Sequence, residues 1–190
     1  LGAHRDAIVL IGAQAIYIHT GDAPVALAPF TKDADLAIDV RSLRDDPRIE
    51  RAMTSAGFVL DPVAKQPGTW LSPGGIPVDL MVPDSLSQRG GRRGGRIPPH
   101  ASNATRRAVG LEGAVVDNRM VRIEALDPSD GRAFEVNVAG PAALLVSKLH
   151  KIWERRDDPR RLVDKDAHDV YRLLVACQTR ELAAALGRLR

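Results

Sequence analysis

Four apolar residues in a row, Ile8 to Ile11, form the first hydrophobic block of the chain, and Gly12 and Ala13 follow directly. A short apolar run bounded by glycine reads as a buried strand, followed here by a turn and a short helix that stops near Gly21. Asp22 to Pro29 is an Ala/Pro loop. Ala34 to Val40 alternates with period 2, which predicts a strand. Asp45-Asp46-Pro47 opens a helix to about Ala56, and Gly57 ends it. Phe58 to Leu60 is a strand, and Thr69 to Leu71 and Ile76 to Val82 are two more around the turn Pro73-Gly74-Gly75.

The arginine and glycine stretch 89–96 is expected to be a loop or disordered. Val115–Val116 and Met120–Ile123 flank Asp117-Asn118-Arg119, a hairpin signal, and Phe134 to Val138 is a further strand. Gly140-Pro141 starts a helix to about Arg155, with proline at its favoured first position. Asp164 caps a helix to about Cys177, and Glu181 to Leu189 is a last short one. Strands come mostly first and helices last, so the expected fold is α+β, a mixed sheet flanked by helices with a C-terminal helical part. No repeat and no break in composition forces two folding units.

Composition narrows the class. Of 190 residues, 44% are hydrophobic, which suffices for a core. No apolar run approaches the roughly 18 residues a membrane helix needs, and no secretory signal is visible. Cys177 is the single cysteine, which excludes a disulfide framework or a cysteine metal cluster and fits a cytoplasmic protein. The net charge of +3 is segregated: Ser85 to Leu111 holds six arginines and no acid or lysine, so the rest sums to −3. An acidic body with one basic segment points to a local anionic partner.

The most informative stretch is Asp33-Ala34-Asp35-Leu36-Ala37-Ile38-Asp39-Val40. Ala34, Leu36, Ile38 and Val40 share one face; Asp33, Asp35 and Asp39 share the other. Neighbouring like charges repel. Two readings stand side by side: an acidic face in water, or carboxylates offset by a divalent cation with oxygen ligands. Context adds to the second. The turn at Gly12 and Ala13 can offer backbone N–H groups and a positive helix end to phosphate. Asp79 interrupts an apolar strand, where an unpaired buried carboxylate is costly; the alternative is a strand-end acid in water or paired with an arginine.

Strand–Gly12–Ala13–helix, then Thr31-Lys32-Asp33-Ala34-Asp35, then Asp79 on a strand resembles the polymerase-β-like nucleotidyltransferase superfamily. Ser147-Lys148-Leu149-His150 through Arg155-Arg156, then Lys165-Asp166-Ala167-His168-Asp169, resembles the helices of abortive-infection nucleotidyltransferase toxins of type IV toxin–antitoxin pairs, a group with tRNA-modifying relatives. The resemblance spans Gly12 to Asp169. Ala13 stands where those proteins have Gly or Ser, and Phe30 where Arg is frequent.

The resemblance implies a metal-dependent enzyme that transfers NMP from an NTP to RNA, most simply a tRNA 3′ end, and so blocks translation. Asp33, Asp35 and Asp79 would hold Mg2+ (or Mn2+), and with Lys148 and Asp166 form the catalytic set. Nucleotide binding falls to Gly12, Ala13, Thr31, Lys32, Lys148 and Asp169. Residues 1–140, with the basic loop 85–111, would form the catalytic core; 141–190 would complete the site within the same globular unit. A cognate antitoxin protein is implied by the resemblance alone.

The residues themselves add three expectations. Lys148 sits among Leu144, Leu145 and Ile152 on one helix face, so it either snorkels to water or meets an anion, with phosphate the favoured anion. Arg89, Arg92, Arg93 and Arg96 make a cationic arm suited to RNA phosphates, with Arg106 and Arg107 extending it. Base-stacking aromatics are nearly absent there, which favours recognition of a shaped RNA by its backbone. Phosphorylation of Thr31 would place about −2 of charge beside the carboxylates and inactivate the site. Two alternatives remain: transfer to a protein or small-molecule hydroxyl, or a non-catalytic RNA-binding module on the same fold.

Overall fold

The computed structural model describes residues 2–21, 23–25, 33–64, 66–88, 93–125, 127–158, 160 and 164–189. Its strands are β1 (Ile8–Ile11), β2 (Ala34–Ile38), β3 (Val59–Leu60), β4 (Thr69–Leu71), β5 (Pro77–Pro83), β6 (Arg106–Ala108), β7 (Asn118–Glu124) and β8 (Ala133–Ala139). The α-helices are α1 (Gly12–Thr20), α2 (Ile49–Ser55), α3 (Pro141–Arg155), α4 (Asp164–Ala176) and α5 (Thr179–Arg188).

All eight strands join one sheet in the order β3-β4-β5-β2-β1-β8-β7, with β6 beside β5. The sheet is mixed: β1 runs antiparallel to β2 and parallel to β8, while β2 and β5 are parallel. The fold is therefore α+β as expected. Strand β5 is shared along its length. Its first half pairs with β4 and its second half with β6, while β2 lines its other edge.

The alternation in β2 builds two cores. On one face Ile11, Ala37 and Met81 pack with Ile16 of α1, Leu144 and Leu145 of α3 and Leu173 of α4. On the other, Ile38, Leu80 and Val82 pack with Ile49 and Met53 of α2 and with Trp70, and Leu36 and Val40 join them. Each fully buried Leu or Ile contributes roughly 1.5–3 kcal/mol relative to exposure. Arg172 of α4, fully buried, donates from Nη2 to the Thr20 carbonyl at 2.9 Å and from Nη1 to the Val25 carbonyl at 3.0 Å. It ties the C-terminal helices to the end of α1.

Two local expectations differ from the structure. Asp117-Asn118-Arg119 is not a hairpin turn: β7 starts at Asn118 and pairs with β8 across residues 125–132. Asp117 Oδ2 instead accepts from the Ala143 N–H at 3.3 Å, in the first turn of α3. Helix α2 starts at Ile49 rather than at Pro47, because the 97–104 segment fixes its first turn. The Ile49 N–H donates to His100 Nδ1 at 3.1 Å, and Glu50 accepts from the Ala101 N–H at 3.0 Å. The described part of the arginine and glycine stretch is a loop, as expected, and it is docked. Gly94 bridges to Arg106 and Arg96 to Gln88, and the Gly95 N–H donates to the Thr105 carbonyl. No described helix is long and apolar enough to cross a membrane.

Candidate active site

Two acids stand side by side in the sheet. Asp35 of β2 and Asp79 of β5 are direct partners in the parallel pairing. Burial, followed by the charges of Asp33 and Asp79, pushes the Asp35 carboxyl up to about 6, against an opposing pull from Lys151 and Lys148. No donor among the described residues hydrogen-bonds that carboxylate. Ile11 is the antiparallel partner of Asp35, so the β1–α1 turn lies directly beside it. Gly12 begins that turn with φ +72°, and a side-chain carbon there would overlap Asp35 Oδ2. Only glycine meets both demands. Asp33, exposed just before β2, has its carbonyl held by Gln14 Nε2 of α1 at 3.0 Å.

Asp79 is held on both sides. Thr69 Oγ1 of β4 donates to Oδ1 at 2.6 Å, and Arg106 Nη2 of β6 donates to Oδ2 at 2.7 Å. Gly68 makes this possible: with φ +81° it passes so close to the Arg106 backbone that a side-chain carbon would not fit, letting β6 begin beside the start of β4.

Lys148 meets carboxylates. Its ammonium lies 3.0 Å from Asp166 Oδ1 and 2.6 Å from Asp169 Oδ2, with its side chain buried. Burial pulls the ammonium pKa down, but Asp169 and Asp166 outweigh it and hold it above the ordinary lysine value. Asp166 also takes Lys151 at 3.0 Å and Arg155 at 3.1 Å. Burial raises the Asp166 pKa, but Lys148 and Lys151 outweigh that and hold it below the usual carboxylate range.

One cleft of about 530 Å3 gathers these groups. Gly12, Asp33, Asp35 and Asp79 line it from the strands; Lys148, Lys151 and Arg155 line it from α3; Arg93, Arg106 and Arg107 complete it. Ala13 is buried in the core, Asp166 and Asp169 are buried behind Lys148, and Arg96 is exposed outside the lining. Thr31, Lys32, Arg89 and Arg92 lie outside the described residues. Gln14 and Thr69 are contributions that sequence reading missed; an arginine beside Asp79 is one of the sequence expectations, and the structure identifies it as Arg106.

A divalent cation suits such oxygens. Among the described residues no three His, Cys, Asp or Glu side chains form a ready-made cage. Asp79 is taken up by Thr69 and Arg106. Magnesium, however, is commonly bound by one or two carboxylates together with substrate phosphates. Asp33 and Asp35, with Asp35 uncompensated by any hydrogen bond among the described residues, fit that mode.

The architecture now has a counterpart among known proteins: the family model described as nucleotidyltransferase matches residues 1–188. The chain belongs to the nucleotidyltransferase family. Comparison with curated proteins and with solved structures gives no match. As a nucleotidyltransferase the protein is a transferase enzyme that moves NMP, with an NTP as its substrate. The cleft accords with that chemistry, since its α3 cations suit a polyanionic substrate and its strand carboxylates suit a metal ion.

Proposed function

We propose that the protein transfers NMP from an NTP to an RNA hydroxyl, with a tRNA 3′ end as acceptor, in a reaction that needs Mg2+ or Mn2+. The observation that carries this reading is the pairing of Asp35 with Asp79 beside the Gly12 turn, opposite the cations of α3.

The acceptor oxygen forms a bond to the α-phosphorus, and the bond from that phosphorus to the β-bridging oxygen breaks, so pyrophosphate leaves. The acceptor hydroxyl gives up its proton to solvent water at the cleft. Asp33 and Asp35, completed by Asp79, would hold the cations. Bound divalent ions supply charge neutralisation on the triphosphate and ease ionisation of the attacking hydroxyl.

The chain's own residues do the rest. The backbone at the start of α1 has no side-chain cap, so its N–H groups are available to phosphate oxygens. Lys148, Lys151 and Arg155 offset charge that grows on the leaving pyrophosphate. Asp166, buried behind them, holds all three cations in one row. It is a positioning residue. Arg93 and Arg107 would contact the acceptor backbone.

Blocking tRNA ends would stop translation, which accords with a cytoplasmic toxin held in check by an antitoxin protein. The test is incubation with α-labelled NTPs, Mg2+ and total RNA. Label at tRNA 3′ ends supports the proposal. Label in protein moves the acceptor to a protein hydroxyl, and label in neither refutes transfer to RNA.

A further inference from the structure

Arg106 is placed as no other cation in the cleft. It belongs to β6, where its Cα is the partner of Met81, two residues beyond Asp79 on β5. Residues two apart share a sheet face, so its guanidinium reaches back along β5 to Asp79. The Nη2–Oδ2 distance is 2.7 Å, and both side chains are about four-fifths buried, at 22% and 17% exposure.

The rest of the guanidinium is poorly served. Nη1 reaches Gln66 Oε1 only at 3.3 Å, Nη2 also faces the Met81 sulfur at 3.2 Å, and Nε is buried with no hydrogen-bond partner among the described residues. A buried donor without an acceptor is costly. The position is held by the charge of Asp79 rather than by a complete set of bonds.

Asp35, the neighbour of Asp79 in register, has no comparable partner among the described residues. A divalent cation shared by the two carboxylates would bring a second positive charge against the guanidinium, and like charges so close repel. The metal and Arg106 therefore compete for Asp79.

We propose that Arg106 is a built-in counter-ion that occupies Asp79 when no metal is bound, and that metal binding must displace it. The inference rests on the metal-dependent reading of the same site. It makes nucleotide-free protein a weak metal binder: the cation competes with a guanidinium already in place.

The test is Mn2+ binding to the nucleotide-free full chain, followed by electron paramagnetic resonance, for wild type, Arg106→Gln and Asp35→Asn. The expected result is that Arg106→Gln binds Mn2+ about five- to ten-fold more tightly than wild type, while Asp35→Asn loses the site. Equal affinity in Arg106→Gln and wild type, with binding still lost in Asp35→Asn, overturns the counter-ion role and leaves the metal reading standing. Binding unaffected by Asp35→Asn, or absent from all three proteins, overturns both.

Should Arg106→Gln fail to fold, nitrogen NMR of wild-type guanidinium groups carries the test, with Arg106→Lys used for assignment. The Arg106 signal is expected to shift on saturation with Mg2+ and a non-hydrolysable NTP analogue. An unchanged signal at saturation overturns the proposal.

Discussion

Gly12 and Asp35 share a space that admits one side chain: any carbon added to Gly12 overlaps the Asp35 carboxylate. The backbone at Gly12 is also left-handed, at φ +72°. Gly75 separates the two effects, because its φ is +76° but nothing lies within reach of an added carbon. Gly75→Ala is expected to lose about 1 kcal/mol through backbone strain alone. Gly12→Ala is expected to lose about 2–4 kcal/mol and to cut nucleotidyl transfer at least ten-fold. Urea unfolding and a transfer assay check both. Equal stability losses in the two variants would show that the Asp35 contact is not tight.

The Asp35 carboxyl, raised to about 6 by burial and by Asp33 and Asp79, costs stability once ionised. Its folded pKa lies above the ordinary carboxylate value near 3.8. Metal-free protein therefore gains stability from this group as pH falls from about 7 to about 4, by up to roughly 2–3 kcal/mol. Asp35→Asn removes the charge. In chelator at pH 7.5 it is expected to melt higher than wild type, with the difference vanishing near pH 4, and to be inactive. Thermal melts across that range test the sign; a lower melting point for the variant at pH 7.5 would reverse it.

Asp166 behaves oppositely. Its pKa lies below the ordinary carboxylate range, so its contribution is fully present above that range and is lost as pH falls through the folded value. Removing one member of a buried ion cluster leaves the others uncompensated. Asp166→Asn is expected to cost roughly 3 kcal/mol at pH 7, with the gap from wild type closing in acid. Transfer should fall with it, because Lys148, Lys151 and Arg155 lose their common anchor. Unfolding free energies followed from pH 7 down to about pH 2 measure this.

Arg107 pairs with the half-exposed Asp84 at 2.9 Å and lines the cleft. Contact with an RNA phosphate would make its loss uniform across sequences. Arg107→Ala is expected to weaken RNA binding and to reduce the salt slope by about one unit. Binding curves at several salt concentrations read the slope directly, and an unchanged slope would place the RNA elsewhere.

What the sequence made visible follows from range. The alternation in 34–40 is a local signal, and it placed Leu36 and Ile38 in one core and Asp35 on the opposite face. Proline after Gly140 marked the start of α3 as directly. Strand β6 carries no such pattern: Arg106 and Arg107 read as a basic tract until pairing with β5 reveals a strand. An arginine partner for Asp79 was legible as one alternative, but across 27 residues nothing singled out Arg106. Lys148 was legible as a cation needing an anion. That Asp169 and Asp166 supply one became visible only when α3 and α4 were packed together. Asp117 mimicked a turn residue because helix capping and hairpin turns favour the same side chains.

The central claim is that nucleotidyl transfer takes place at the Asp35–Asp79 pair. Reactions run in parallel with α-labelled and γ-labelled NTP, with RNA and Mg2+ present, address it most directly when wild type is set beside Asp35→Asn. The account predicts α-label in RNA and γ-label in released pyrophosphate for wild type, and neither for the variant. Undiminished transfer by folded Asp35→Asn would contradict it.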